Sequence, residues 1–196
     1  MTLIVRTIKV LISSKFKPRI TDATAPQALM FRVLPNDLDF NMHMNNSRYL
    51  AIMDVGRIDL LIRTHLFQEM RKIKAIPVLS TAKMRYRISL QPFQRYRLES
   101  KLVCWDEKWL YIEHRFIIAD GPKAGAVAAI GLVKGVFYSG QGKGTVPTSQ
   151  LLELTGMDKH SPEFPEHVTD YIKADESFRD YVRNDSSNNK SDNSDA

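Results

Sequence analysis

At 196 residues, with 28 Lys and Arg against 22 Asp and Glu for a net charge of +6, the chain is long enough to bury one core with appendages and too short for two full domains. The basic balance suits an anionic partner, either a phosphorylated cofactor or a lipid surface; the basic residues alternate with apolar ones and form no zinc-finger, glycine-rich RNA-binding or basic-zipper pattern, so nucleic-acid binding is set aside. The single cysteine, Cys104, excludes an internal disulfide, cannot by itself make a metal site, and points to a reducing, cytoplasmic setting.

The N-terminal run MTLIVRTIKVLISSKFKPRI is interrupted by Arg6 and Lys9, has no small-residue cleavage pattern, and lacks the roughly 18–20 uninterrupted apolar residues that span a bilayer. At helical spacing Thr2, Arg6, Lys9 and Ser13 share one stripe, while Leu3, Ile4, Ile8, Leu11 and Ile12 occupy much of the rest. Two readings of this basic amphipathic helix stand: it packs on the protein's own sheet or on a partner subunit, or residues 1–17 make peripheral contact with an anionic membrane. After a turn-like ITDATAPQ, the segment ALMFRVL predicts a first strand ending at Pro35.

Next comes the polar stretch on which the chain is centred. Asp39, Asn41 and His43 are spaced two apart, so in an extended segment they project together. Asn45 and Asn46 then precede an apolar-periodic run, and an Asn there predicts a helix N-cap. The first turn of such a helix offers backbone N–H groups to an anion, or to the oxyanion of a carbonyl under attack, with a carboxylate nearby as base or nucleophile. Asp37 competes with Asp39 for that role, although an Asp before a helix is commonly a turn former. From Asn46 to about Phe67 the periodicity predicts one long helix buried around most of its girth. Asp54 and Arg57, three apart, pair on one face of it, either as a structural ion pair or as part of a site.

Residues 76–139 change period. Lys83 to Leu90 alternates strictly, Arg95 to Val103 and Trp109 to Ile118 follow, and the joins at 91–93 and 106–108 are short enough for hairpins, which predicts a meander. The small apolar run from Ala124 continues to Tyr138 as a central strand against which the long helix packs closely. Residues 141–144, Gln-Gly-Lys-Gly, read as a mobile turn and lack P-loop spacing. His114 falls on an apolar face as a core imidazole, Cys104 reads as a small buried hydrophobe, and no histidines stand at metal-ligand spacing, so no metal is expected. A short helix from Thr148, a Pro-containing turn at 161–165 and a polar helix to about Arg183 precede a tail without large apolar residues.

The order strand, polar loop, buried helix, antiparallel meander resembles the hotdog fold, an α+β architecture in which an antiparallel sheet wraps a long central helix. Residues 37–46, Asp-Leu-Asp-Phe-Asn-Met-His-Met-Asn-Asn, resemble the Asp-x-Asn-x-His-Val-Asn-Asn signature of acyl-carrier-protein thioesterases. They also resemble the His-Met-Asn-Asn segment of proteins related to thioesterase superfamily member six. Tyr49, Asp54 and Arg57 fall where 4-hydroxybenzoyl-CoA-type thioesterases carry Tyr, Glu and Arg. The resemblance implies a hydrolase of acyl-CoA or acyl-carrier-protein thioesters in which Asp39 is base or nucleophile. Asn41 and His43 would orient water or thioester, and N–H groups at Asn45 and Asn46 would receive the oxyanion. It implies no cofactor beyond the CoA or phosphopantetheine of the substrate, and a homodimer or higher homo-oligomer. A non-hydrolytic acyl-binding protein and a hotdog dehydratase are the alternatives. The chain then divides into an N-terminal helix and linker (1–22), a hotdog domain (23–145), a helical extension (146–183) and a disordered tail (184–196).

Overall fold

A computed structural model describes residues 3–139 and 144–192. The 141–144 turn therefore lies outside the described residues except for Gly144, which has a φ of 82°. The chain divides into two units, Met1–Pro162 and Glu163–Ala196.

In the first unit, helix α1 (Leu3–Ser14) leads to strand β1 (Gln27–Arg32) and a 3-10 turn at Pro35–Asp37. Helix α2 (Asn46–Arg63) follows, then α3 (Leu66–Lys72), the strands β2 (Ala75–Tyr86), β3 (Arg95–Trp105), β4 (Leu110–Ile118), β5 (Val127–Ser139) and β6 (Thr145–Val146), and helix α4 (Thr148–Leu154). The sheet is antiparallel in the order β1-β3-β4-β5-β2, with β6 on the end of β5. It curls around α2 as a hotdog fold. Tyr49, Ile52 and Met53 of the helix enter a core with Tyr96, Leu98, Phe116 and Val133 of the sheet, because these apolar side chains gain most by leaving water together.

Small residues set the depth of that contact. A Cβ at Gly56 would stand 2.6 Å from Ser100 Oγ and 2.8 Å from a Leu98 methyl, and one at Gly131 would meet the sulfurs of Met84 and Met53 at 2.6 and 2.8 Å. The small-residue run of β5 thus lets α2 lie close, as its composition predicts.

Three expectations change. The predicted long helix breaks at Thr64 and His65, where His65 takes a φ of 64° and starts α3; the Thr64 hydroxyl satisfies the Leu60 carbonyl at 2.6 Å. Nor is α2 buried around most of its girth, since Leu50 is exposed and Ile58, Leu61 and Ile62 are half-buried. The meander holds for β3-β4-β5 only. The join at 91–93 is no hairpin: β2 pairs with β5 at the far edge, and after Tyr86 the chain crosses to lay Phe93 N–H on the Val33 carbonyl at 3.1 Å. Alternation alone names a half-buried strand and not its neighbour, whereas Pro77 inside β2 fits the edge position. Leu90, continuing the same alternation, leaves the sheet and is fully buried in the core.

The second unit holds helix α5 (Glu166–Asp192), longer than the composition predicts because it continues through residues 184–192. Thr169 Oγ1 donates to the Glu166 carbonyl at 2.8 Å, and Lys173 pairs with Asp170 in the first turns.

Candidate active site

The polar stretch folds as a tight turn held between an isolated bridge, Leu38 to Met44, and the start of α2. Asp39 N–H donates to the His43 carbonyl at 3.0 Å and Met42 N–H to the Asp39 carbonyl at 3.1 Å. Met42 has a φ of 57°, a left-handed conformation that a methionine adopts only when its surroundings impose it. The side chains of Asp39, Asn41 and His43 are therefore not aligned by strand spacing. The turn instead folds His43 back, so that its Nδ1 lies 3.1 Å from Asp39 Oδ2, while Asp39 Oδ1 accepts from the backbone N–H of Asn41 at 2.9 Å and of His43 at 3.4 Å. The Asp39 and His43 side chains remain 18% and 29% exposed, which leaves the pair reachable by substrate. Asn41 contributes its backbone to this group and turns its side chain to solvent.

Asn45 caps α2 as the sequence predicts, its Oδ1 accepting from Ser47 N–H at 2.9 Å and Ser47 Oγ at 2.7 Å. Its own N–H is taken by the Asp37 carbonyl at 2.8 Å. Of the two expected oxyanion donors, only the Asn46 N–H carries no hydrogen bond among the described residues.

Asp37 is separated from Asp39 by burial. Its carboxylate is closed by a bidentate Arg6 guanidinium at 3.0 and 2.5 Å and accepts from Leu34 N–H at 2.9 Å. Both side chains are 3% exposed, so Asp37 is enclosed and fixes the turn. Arg6, hidden in an apolar helix, is a residue the sequence reading left outside the site; a lone cation inside such a run is the signal for a buried partner.

Tyr49, on the first turn of α2, packs edge-on against Tyr86 and Phe116 at 5.1 and 4.8 Å. Burial pushes its phenol up to about 12, aided by the neighbouring Tyr86 and the charge of Asp39 and opposed by a backbone hydrogen bond from Leu90. It stays protonated beside the carboxylate. Tyr86, also unforeseen, donates from its hydroxyl to the Asn46 carbonyl at 3.2 Å and so joins β2 to the start of α2.

Asp54 and Arg57 form a second group about 12 Å further along α2, at about 1.5 Å per residue. They are ion-paired. Burial lowers the Arg57 pKa, against the raising effect of Asp54. Arg57 also reaches His114 Nε2 at 3.4 Å, and His114 Nδ1 lies 2.8 Å from Ser100 Oγ. Since a guanidinium only donates, Nε2 accepts and Nδ1 carries the proton toward Ser100. Burial, then the Arg57 charge, drive the His114 pKa well below its ordinary range, so the imidazole is neutral. Cys104 is buried, and desolvation lifts its thiol to about 12. Among the described residues no three His, Cys, Asp or Glu side chains gather as a metal site, and no helix is long and apolar enough to cross a membrane.

The Asp54–Arg57 pair borders an apolar cavity of about 330 Å³ lined by residues of α2, β2 and β5, among them Ile58, Leu61, Val78 and Val136. Thr148 also lines it, and its hydroxyl is buried with no hydrogen-bond partner among the described residues. Asp39 is not in its wall.

A curled antiparallel sheet on a central helix, with a polar turn at the helix start, makes this a hotdog-fold protein. The profile of the thioesterase-like superfamily matches residues 33–172, and the chain belongs to that superfamily. It is 32% identical over 191 residues to "Protein THEM6" of Xenopus laevis, covering 96% of this chain and 88% of that one. Among solved structures it resembles the YbaW probable thioesterase of Escherichia coli, with a TM-score of 0.59 at 22% identity over 65% of this chain and 94% of that chain. It also resembles the hypothetical protein SAV2348 of Staphylococcus aureus, solved in complex with CoA, with a TM-score of 0.59 at 16% identity over 73% and 91% of the two chains.

Proposed function

We propose that the protein hydrolyses acyl-CoA thioesters, with Asp39 as the general base at the start of α2. The observation that carries this reading is the contrast between the two acids of the turn. Asp37 is sealed by Arg6, while Asp39 is held by His43 and the Asn41 N–H and remains open to a substrate. In this reading Asp39 takes a proton from water as the water oxygen bonds to the thioester carbonyl carbon. The carbonyl oxygen, now negative, is received by the Asn46 N–H at the positive end of α2. The C–S bond then breaks, and the departing thiolate takes the proton held on Asp39. His43 fixes the carboxylate, and the protonated Tyr49 lies beside it.

Lys83 and Arg85 are exposed on β2 and make no ion pair among the described residues; they offer charge to the CoA phosphates. The CoA bound to the Staphylococcus aureus protein supports this choice of thiol. The cavity beside α2 suits the acyl group. We propose a homodimer on similar grounds. β2 is a sheet edge that exposes Ile76, Val78 and Leu79, and such an edge invites pairing with a second copy.

A second reading makes Asp54 the acid, because Asp54 and not Asp39 lines the cavity. Thiol release from a panel of short, long and aromatic acyl-CoAs tests the activity. Release from at least one member is the expected result. A folded protein that releases none, yet is stabilised against heat by the same thioesters, would instead be a non-hydrolytic acyl binder.

A further inference from the structure

Helix α1 docks by a mixed stripe and leaves its wider apolar side outward. Its inward stripe is Leu3, Arg6, Val10 and Ser14: Arg6 closes on Asp37, and Ser14 Oγ donates to Asp59 Oδ1 at 2.6 Å. Lys17, just past the helix, reaches the same Asp59 oxygen at 3.3 Å, and Arg63 holds the other at 3.2 Å. The opposite stripe is Ile4, Val5, Ile8, Leu11 and Ile12, with Phe16 beyond the helix end, all exposed, from 39% at Leu11 to 84% at Phe16. The expected packing of α1 on the protein's own sheet is found through Leu3 and Val10, which meet Leu29 and Phe31 of β1 and Val55 of α2, while Arg6 and Ser14 supply partners to the buried Asp37 and Asp59.

The exposed side is bordered by one sign of charge. Lys9 and Lys15 are exposed on it and make no ion pair among the described residues, and no acid precedes Asp22. A second copy of the helix laid on this stripe would bring lysine against lysine, a repulsive arrangement, whereas phosphate headgroups would neutralise both. We propose that α1 is an in-plane lipid anchor, its outer apolar stripe inserted at the headgroup boundary of an anionic bilayer with Lys9 and Lys15 on the phosphates. Because Arg6 grips Asp37, two residues before Asp39, a bilayer under α1 holds the candidate site beside the membrane surface. That consequence depends on the thioesterase reading; the anchor does not.

Co-sedimentation of the full chain with vesicles of phosphatidylcholine, with and without phosphatidylglycerol, tests the proposal without any substrate. The native protein is expected to pellet with the anionic vesicles and to be released by salt. Ile8→Ser with Ile12→Ser, and separately Lys9→Glu with Lys15→Glu, should each lower partitioning at least about tenfold. These side chains are exposed, so the thermal midpoint of both variants should match the native one. Native protein that stays in solution with anionic vesicles, or either double variant that binds like native, would overturn the anchor. So would a lighter particle for Ile8→Ser/Ile12→Ser in sedimentation without vesicles, since that would assign the stripe to a contact between copies.

Discussion

A buried ion pair and a buried imidazole give the residue scale its sharpest expectations. Arg6 and Asp37 are both enclosed, so removing either leaves an unpaired charge in the interior. Arg6→Met should cost about 3–5 kcal/mol in urea unfolding, and adding Asp37→Asn should return much of it, because no charge is then stranded. His114 is neutral in the fold, with its pKa held well below the ordinary value of 6.5. The unfolded chain takes up that proton as pH falls through about 6.5 and the folded chain does not. The His114 contribution is therefore complete above this pH and lost progressively below it, so the fold is less stable at pH 5.0 than at pH 7.5. Urea unfolding at the two pH values measures it, and His114→Gln should flatten the difference.

At the scale of elements, the close approach of α2 to the sheet rests on Gly56. Gly56→Ala gains helix propensity of about 1 kcal/mol but presses a methyl onto Ser100 and Leu98, and overpacking of this kind costs about 1–3 kcal/mol. A lower thermal midpoint is expected. This contact also marks how far the sequence could be read. The Asn45 cap, the alternating β3, the strand β4, the small-residue β5 and the core position of His114 each depend on local chemistry or periodicity, and all are found, although β4 is buried on both faces. What escaped depends on distant partners. The place of β2 is set by pairing with β5, far along the chain. The orientation of α1 is set by Asp37 and Asp59, which no helical periodicity reveals. Within the turn, spacing named Asp39 and His43 as companions, but their meeting depends on the positive φ of Met42, a residue that gives no such signal in sequence.

For the molecule as a whole, α2 links two groups of charges. One is the open Asp39–His43 pair at its start; the other is the Asp54–Arg57 pair on the cavity wall. A thioester with its carbonyl at the Asn46 N–H and its acyl group directed along α2 would engage both, the first in chemistry and the second in binding. The two groups then differ in which kinetic constant they govern. Steady-state thiol release by Asp39→Asn and Asp54→Asn, each beside the native protein on the best acyl-CoA, measures that difference. The account predicts that Asp39→Asn lowers kcat by about 10²–10⁴, the usual worth of a positioned base, while Asp54→Asn mainly raises KM. An Asp39→Asn protein with native kcat, or loss of turnover in Asp54→Asn alone, would contradict it.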